Sequence, residues 1–353
     1  MCIITIGLIF SKGNEMSDSI LDISVLLIFF NRPETLKQVF DQVRKVKPAR
    51  LFLYQDGPRE GISEDIIKIS ECRKIVDDID WECKVCKLYQ PNNVGVDPSG
   101  YIADKWAFSQ TDKCIVLEDD CLPSVSFFHY CKYLLDKYED ENKIMLISGI
   151  NEEGITSEVS ADYFFSRTTF TWGWASWARV VNNWEGDYTF LDNQVSVNYL
   201  NNYISKYRLV NNMVAVFEAH KKTGKAHFET VLISNQYLND GLTIVPKKNL
   251  ITNIGITGNG THFDELKFTP RGLRKLFSLK SFEIAFPMID NDSFDDFVPY
   301  QKRTYRLNGW NHPLIKIYRQ CERYFYFLCY GKFDCIKNDF KKKIKKVKEV
   351  GLG

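Results

Sequence analysis

The residues best suited to chemistry are three consecutive carboxylates, Glu118, Asp119 and Asp120, which directly follow an apolar segment at residues 113–117. Adjacent carboxylates repel one another unless a cation lies nearby. In open α/β sheets, ligands bind outside the carboxyl ends of the strands, where this triplet would fall. Hard oxygen ligands on one short loop suit Mn²⁺ or Mg²⁺, completed by water and a diphosphate. The alternative is a solvated acidic loop that caps the next helix.

Two more polar residues follow predicted strands and would share the same crevice. Asp56 comes after the segment 51–54, and Arg32 comes after the segment 24–30. A carboxylate such as Asp56 can accept the N–H of a uracil ring, and the donor fork of Arg32 can bind a base or a phosphate. Asp56 also belongs to an Asp-Gly pair, which is frequent in turns. Arg32 would equally suit a surface position at the start of a helix.

A dense cluster of tryptophans marks the middle of the chain, at Trp172, Trp174 and Trp177. Flat aromatic faces stack on the apolar faces of sugars, so the cluster could bind a saccharide acceptor. Gly173 between two of the rings indicates a close backbone approach, which favours a site. Packing in the core is the competing explanation for each ring.

Two titratable residues follow the cluster. Glu229 could act as a general base if it lies against an acceptor hydroxyl. His262 comes after a glycine-rich turn and could contact a phosphate or a metal. Each signal is weak alone, because a single Glu is usually a surface charge and a single His is usually structural.

The elements that must position these residues alternate between strands and helices over the first 150 residues. This alternation predicts a mainly parallel α/β sheet flanked by helices. The region 160–265 is less regular and richer in aromatics. The predicted strands are 24–30, 51–54, 84–89, 113–117 and 144–148. One helix is predicted to begin at Pro33, and three more are predicted at 63–79, 98–110 and 125–138.

Composition excludes several classes of protein. The chain has 353 residues, of which 44% are hydrophobic and 26% charged, as in ordinary globular proteins. With 46 Lys and Arg against 45 Asp and Glu the net charge is +1, so binding of nucleic acid by the whole chain is not expected. The ten cysteines are scattered, and the pair Cys83 and Cys86 lacks the further ligands of a zinc site. We expect inert thiols in a reducing cytoplasm.

The two ends of the chain differ from its body. Residues 1–21 carry no signal-peptide pattern and are expected to form a disordered leader, with Met16 as an alternative start. Residues 311–353 contain 11 Lys and Arg and 4 Asp and Glu, a net charge of +7. A basic amphipathic helix is predicted there, which could lie on an anionic membrane surface. A solvated terminal helix is the alternative. Its apolar positions at helical spacing are Ile336, Phe340, Ile344 and Val347.

Taken in order, these motifs resemble bacterial nucleotide-sugar glycosyltransferases of the GT-A fold, which are distantly similar to the animal N-acetylglucosaminyltransferase that initiates complex N-glycans. The resemblance covers about residues 24–265. It implies a GT-A domain over 22–265, and the composition of the tail predicts a helical, basic C-terminal extension over 266–353. The motifs are Asn31-Arg32-Pro33, Tyr54-Gln55-Asp56-Gly57, Ile115 to Asp120, the Trp-Gly-Trp sequence, and the segment from Asn249-Leu250 to Thr261-His262.

The resemblance also implies roles for the donor site. Asp120 would coordinate Mn²⁺ bridging the donor diphosphate. Asp119 and Glu118 would contact ribose, metal-bound water or the donor sugar. Asp56 would read uracil, and Arg32 would lie beside the nucleotide.

The family's catalytic base is expected in a Trp-Asp pair, and this chain has Phe228-Glu229 there instead. Glu229 keeps the carboxylate but is one methylene longer. The implied reaction is a single displacement with inversion, moving a sugar from a UDP-sugar to a glycan or lipid-linked saccharide. It would occur in the cytoplasm or at the inner face of the cytoplasmic membrane, in bacterial surface polysaccharide synthesis.

Two alternatives remain open. A sugar nucleotidyltransferase usually carries a glycine-rich phosphate loop after the first strand, and residues 29–33 contain no glycine. The departure at Glu229 leaves open a non-catalytic protein that keeps the fold and binds carbohydrate or nucleotide.

Overall fold

A computed structural model of the chain describes residues 20–207, 209, 213–255, 271–307 and 313–339. Three features singled out in the sequence lie outside these residues: most of the predicted leader, His262, and the lysine-rich segment from Phe340 onward.

The fold is mixed α/β, with a mainly parallel eight-stranded sheet in the described residues, in the order β3-β2-β1-β4-β8-β6-β9-β7. Only β8 and β7 run antiparallel to their neighbours. This confirms the predicted mainly parallel sheet flanked by helices. The strands are β1 (Leu21–Phe29), β2 (Pro48–Gln55), β3 (Lys84–Tyr89), β4 (Lys113–Glu118), β5 (Cys121–Pro123), β6 (Ile144–Ser148), β7 (Tyr163–Ser166), β8 (Trp174–Trp177), β9 (Leu242–Pro246) and β10 (Ile251–Asn253), of which β5 and β10 form a separate antiparallel pair.

The first helix has the start and the apolar face that the sequence pattern predicts. Pro33 occupies an early helical position, where the missing N–H has no partner to lose. The predicted apolar face is buried against the sheet. The helices are α1 (Pro33–Val46), α2 (Ser63–Asp77), α3 (Val96–Phe108), α4 (Val125–Lys137), α5 (Ala178–Val181), α6 (Gln194–Tyr207), α7 (Met213–Lys221), α8 (Phe228–Leu238), α9 (Arg271–Phe277), α10 (Val298–Leu307) and α11 (Pro313–Cys329), with a 3₁₀ helix at Thr189–Asp192.

Apolar side chains cover both faces of the sheet. Along β1, Val25 and Leu27 join the layer beneath α1 and α4, whereas Leu26 joins the layer beneath α3. The same alternation acts in β8, where Trp177 enters the first layer and Trp174 the second. The sheet is therefore buried on both sides, as expected for parallel strands.

Residues beyond 265 also pack on this sheet. The Glu283 carboxylate accepts the backbone N–H groups of Val125 and Ser126 at the start of α4, at 2.9 and 2.8 Å. The N–H of Phe297 donates to the carbonyl of Phe165 in β7. The domain boundary at 265 stays a prediction, but part of the segment behind it belongs to the same packed unit.

None of the helices within the described ranges is both long and apolar enough to cross a lipid bilayer.

Candidate functional site

A cavity of about 380 Å³ opens at the carboxyl ends of β1, β2 and β4 and extends beneath α3. This is the edge at which open α/β sheets bind ligands. Most of the predicted donor-site residues lie on its wall. The lining includes Arg32, Asp56, Asp104, Glu118, Asp119 and Trp174.

The Arg32 guanidinium bridges two of the three consecutive carboxylates. It donates to Asp119 and, at 2.8 Å, to Oδ2 of Asp120. Asp119 is fixed further by the N–H of Phe30, which donates to its Oδ2 at 3.1 Å. The cation that the repelling carboxylates require is therefore Arg32 in this structure. Burial alone would lower the pKa of Arg32, but Asp119 and Asp120 raise it above its ordinary value.

Two residues of the triplet, Glu118 and Asp119, have a raised pKa. Burial raises the pKa of Asp119 to about 6, although Arg32 opposes the rise. Burial also raises the pKa of Glu118 well above its ordinary range, and the carboxylates of Asp120 and Glu229 add to the effect. This interaction shows that Glu229, from α8, lies near the end of β4.

Asp56 lines the cavity, but its carboxylate is already saturated by protein donors. Oδ1 accepts the N–H groups of Gly57 and Val94 at 2.8 and 2.9 Å. Oδ2 accepts the Asn93 side-chain amide at 2.8 Å and the N–H of Gly95 at 3.1 Å. A carboxylate offers about four acceptor positions. In this structure Asp56 therefore holds the loop before α3, and a uracil N–H would have to displace one of these donors.

A second charged cluster at the cavity was not singled out from the sequence. The buried Asp65 of α2 accepts both Nε and Nη2 of Arg59 at 2.8 Å and the Asn31 side-chain amide at 2.7 Å. The hydrogen bonds from Arg59 lower the pKa of Asp65 to about 2. Because Asn31 adjoins Arg32, this cluster ties α2 to the side of the cavity where Arg32 lies.

The tryptophan cluster divides between the core and the cavity. Trp177 is 2% exposed, donates its indole N–H to the carbonyl of Leu135, and stacks under Arg179. The prediction that Trp177 binds an acceptor is wrong, because its odd spacing from Trp174 places it on the opposite face of the sheet. Trp174 is also buried, stacked on Phe108, and only its cavity-facing part could meet a ligand. Trp172 is partly exposed.

Glu229 lies in the first turn of α8 and is exposed. The Thr171 hydroxyl lies 3.5 Å from its Oε1, next to the half-exposed Trp172. The preceding Phe228 lines the cavity. The chain thus brings an exposed carboxylate to the sheet edge where the acidic triplet ends.

The acidic triplet would by itself supply only part of the ligand set of a divalent metal. Among the described residues, no group of three or more His, Cys, Asp or Glu side chains forms a complete cation site. Asp120 is 15% exposed on its side chain, and a Cβ on Gly255 would collide with its Oδ2. The absence of a side chain at Gly255 therefore leaves Asp120 accessible. A carboxylate completed by diphosphate and water fits this arrangement, and Asp120 would supply it.

Asp104 is the other residue that sequence reasoning missed. It lies on α3 among Gly100, Ala103 and Ala107, all buried, and is itself 0% exposed. Within the described part of the chain neither of its carboxylate oxygens has a hydrogen-bond partner. The available signal was a carboxylate on the apolar face of an amphipathic helix.

Comparisons with known proteins identify no family for this chain. No family model and no curated protein sequence matches it. Among solved structures, 4-diphosphocytidyl-2C-methyl-D-erythritol synthase from Anaerococcus prevotii is 13% identical with a TM-score of 0.29, covering 50% of this chain and 76% of that chain. An apo UDP-glucose pyrophosphorylase is 9% identical with a TM-score of 0.34, covering 66% of this chain and 93% of that chain. Both similarities are too weak to bear on function.

Proposed function

We propose that this protein is a metal-dependent, inverting GT-A glycosyltransferase that uses a nucleotide sugar, with a UDP-sugar as the first candidate donor. The observation that carries the proposal is the cluster of Arg32, Asp119 and Asp120, of which Arg32 and Asp119 line a cavity on the carboxyl edge of the sheet. A cation paired with carboxylates is the arrangement needed to receive a diphosphate with its metal.

The order of the strands in the sheet suggests which part of the donor each residue would contact. Asp56 and its loop end β2, Arg32 follows β1, and Glu118 ends β4. The base would therefore lie near the loop held by Asp56, and the diphosphate near Arg32. The sugar extends toward Glu118 and Glu229. Arg59 and Lys68 also line the cavity, and each is paired with a carboxylate of the same wall, Asp65 and Glu64.

Bound Mn²⁺ or Mg²⁺ would offset the charge that develops on the leaving diphosphate. Glu229 accepts the proton of the acceptor hydroxyl while that oxygen bonds to the anomeric carbon. The bond from the anomeric carbon to the diphosphate breaks, and its electron pair leaves with the nucleoside diphosphate. Thr171, whose hydroxyl lies 3.5 Å from Oε1 of Glu229, and the partly exposed Trp172 that follows it in the chain would orient the acceptor.

The product distinguishes this reaction from its competitor, transfer of a nucleotidyl group. We expect the protein, incubated with UDP-sugars, Mn²⁺ and a saccharide acceptor extract, to release UDP. In a parallel incubation with added pyrophosphate, a nucleotidyltransferase would instead convert the UDP-sugar to UTP and the sugar 1-phosphate. A protein that only binds carbohydrate would form neither. Chromatography of the nucleotides separates the three outcomes.

Glu229→Gln should lower kcat by about 100-fold or more while leaving the donor KM nearly unchanged, because a general base acts in the transition state. Glu218→Gln, at an exposed glutamate of α7, is the matched control and should leave kcat unchanged. UDP release by Glu229→Gln at the normal rate would remove the assignment of the base.

We also propose that the C-terminal part attaches the protein to an anionic membrane surface. The charge of +7 over residues 311–353 supports this. So does an apolar stripe on α11, where Leu314, Ile317, Phe325 and Leu328 are each more than half exposed. An acceptor linked to lipid would then meet the sugar site at the membrane.

A further inference from the structure

The cavity has an inner end that the proposed roles do not use. It lies between α3, β4, β8 and α8, and its walls are the side chains of Val116, Trp174 and Phe228. A Cβ on Gly100 would lie 2.6 Å from Cδ1 of Phe228, so glycine at this position lets α8 close against α3. Three apolar walls thus enclose a space that opens toward the acidic triplet.

Asp104 is the carboxyl group at this inner end. It lines the cavity and is fully buried, and its two oxygens have no hydrogen-bond partner among the described residues. Burial raises its pKa well above the ordinary value, which favours the neutral acid with one donor and one acceptor. A buried polar group without a partner costs free energy in the empty protein. A ligand that supplies the partner recovers that cost.

The strands that lie beside Asp104 indicate which part of a ligand would reach it. In the proposed donor site the base and the diphosphate would lie at the ends of β2 and β1, whereas Val116 and Trp174 belong to β4 and β8. Phe228, which closes the inner end, directly precedes Glu229. The inner end is therefore on the sugar side of the site.

We propose that Asp104 is a specificity residue that hydrogen-bonds a hydroxyl or acylamino substituent on the sugar of the bound nucleotide sugar. This inference rests on the proposed donor site. It concerns the choice of sugar and leaves the chemical step to other residues. The apolar walls admit the carbon skeleton of the substituent, and Asp104 supplies the hydrogen-bonding partner at its end.

The test compares UDP with UDP-sugars as ligands of the full chain. Calorimetric titrations in Mn²⁺ would use UDP, UDP-glucose, UDP-galactose and their two N-acetylhexosamine counterparts. Comparison of the hexoses with the N-acetylhexosamines shows whether the group that binds Asp104 is a hydroxyl or an acylamino group. Asp104→Ala should weaken the binding of the best UDP-sugar about tenfold and change the affinity for UDP by less than about twofold. Asp104→Asn should lose less affinity for the UDP-sugar, because its amide still donates and accepts hydrogen bonds. Asp112→Asn, at an exposed position beyond the other end of β4, is the control.

A stability measurement separates a ligand-facing role from a structural one. Removal of an unpartnered buried carboxyl should leave the midpoint of thermal unfolding unchanged or raise it. Equal losses for UDP and UDP-sugar, or no loss for either, would overturn the role of Asp104 while leaving the donor site in place. If the unmodified protein bound no nucleotide sugar at all, the proposed function would fail together with this inference.

Discussion

Arg32 explains how three adjacent carboxylates are tolerated at the end of a buried strand. Its guanidinium pairs with both Asp119 and Asp120 and opposes the rise in the pKa of Asp119 that burial causes. The same contacts make Arg32 a competitor of any metal at Asp120. Binding of a diphosphate with its metal would give Arg32 new anionic partners and release Asp120 to the cation.

Asp56 provides a test of whether a residue reads the base or holds the loop. Asp56 accepts four hydrogen bonds that hold the loop before α3. Asp56→Asn should therefore weaken the binding of UDP, CDP and GDP by a similar factor of about ten, because the loop forms part of the cavity wall for every nucleotide. Titration of the three nucleotides measures this. If UDP alone lost affinity, Asp56 would be the uracil reader that the sequence resemblance implies.

The tryptophan strand gives a prediction at the level of an element. Trp177 fills the core between β8 and α4, so Trp177→Ala should lower the free energy of unfolding by about 3–5 kcal/mol. Trp172 is only partly buried, against Phe170 and Phe277. Trp172→Ala should therefore lower the free energy of unfolding far less than Trp177→Ala. Denaturant unfolding of both variants checks this. Similar losses would contradict the division of the cluster between core and site.

Several elements were predictable because one physical pattern dominates each of them. The segment 84–89 and the segment 144–148 have the predicted bounds, and α1 has the predicted start and apolar face. The strand β8 was not recognised, because its tryptophans were interpreted as a ligand surface. Only the sheet partners of β8 reveal that Trp174 and Trp177 face opposite layers. Tertiary pairing of this kind leaves little trace in a local pattern.

The candidate site shows the same limit. The acidic triplet, Asp56 and Arg32 could be placed at one sheet edge, since parallel strands bring their carboxyl ends together. The partners of their oxygens could not be predicted, because the loop at residues 92–95 reaches Asp56 only in the folded chain. The empty hydrogen-bonding capacity of Asp104 likewise requires knowledge of which helix covers which strand.

The stability of the whole molecule should depend on acid through Asp65. Its pKa is lowered to about 2 by Arg59, against about 3.9 in an unfolded chain. The stabilisation is thus present above about pH 4 and lost as the pH falls toward 2. Asp65→Asn should lower the free energy of unfolding at pH 7 by about 1–2 kcal/mol, with the difference shrinking below pH 4.

Thermal unfolding of both proteins between pH 7 and pH 3 measures the dependence. Asp77→Asn is the matched control, because Asp77 forms a pair with Lys87 that is exposed on both sides. It should change stability by less than about 1 kcal/mol at either pH. A difference for Asp65→Asn that did not change with pH would show that its ion pair with Arg59 does not stabilise the fold.

Metal-dependent binding of UDP is the measurement that tests the central claim most directly. Calorimetric titration with and without Mn²⁺ should show that the metal tightens UDP binding at least tenfold in the unmodified protein, which is about 1.4 kcal/mol. Asp120→Asn should lose this increment and retain the weaker metal-free affinity, since the cavity walls stay in place. UDP binding that was equal with and without Mn²⁺, or an increment that persisted in Asp120→Asn, would contradict the proposed donor site.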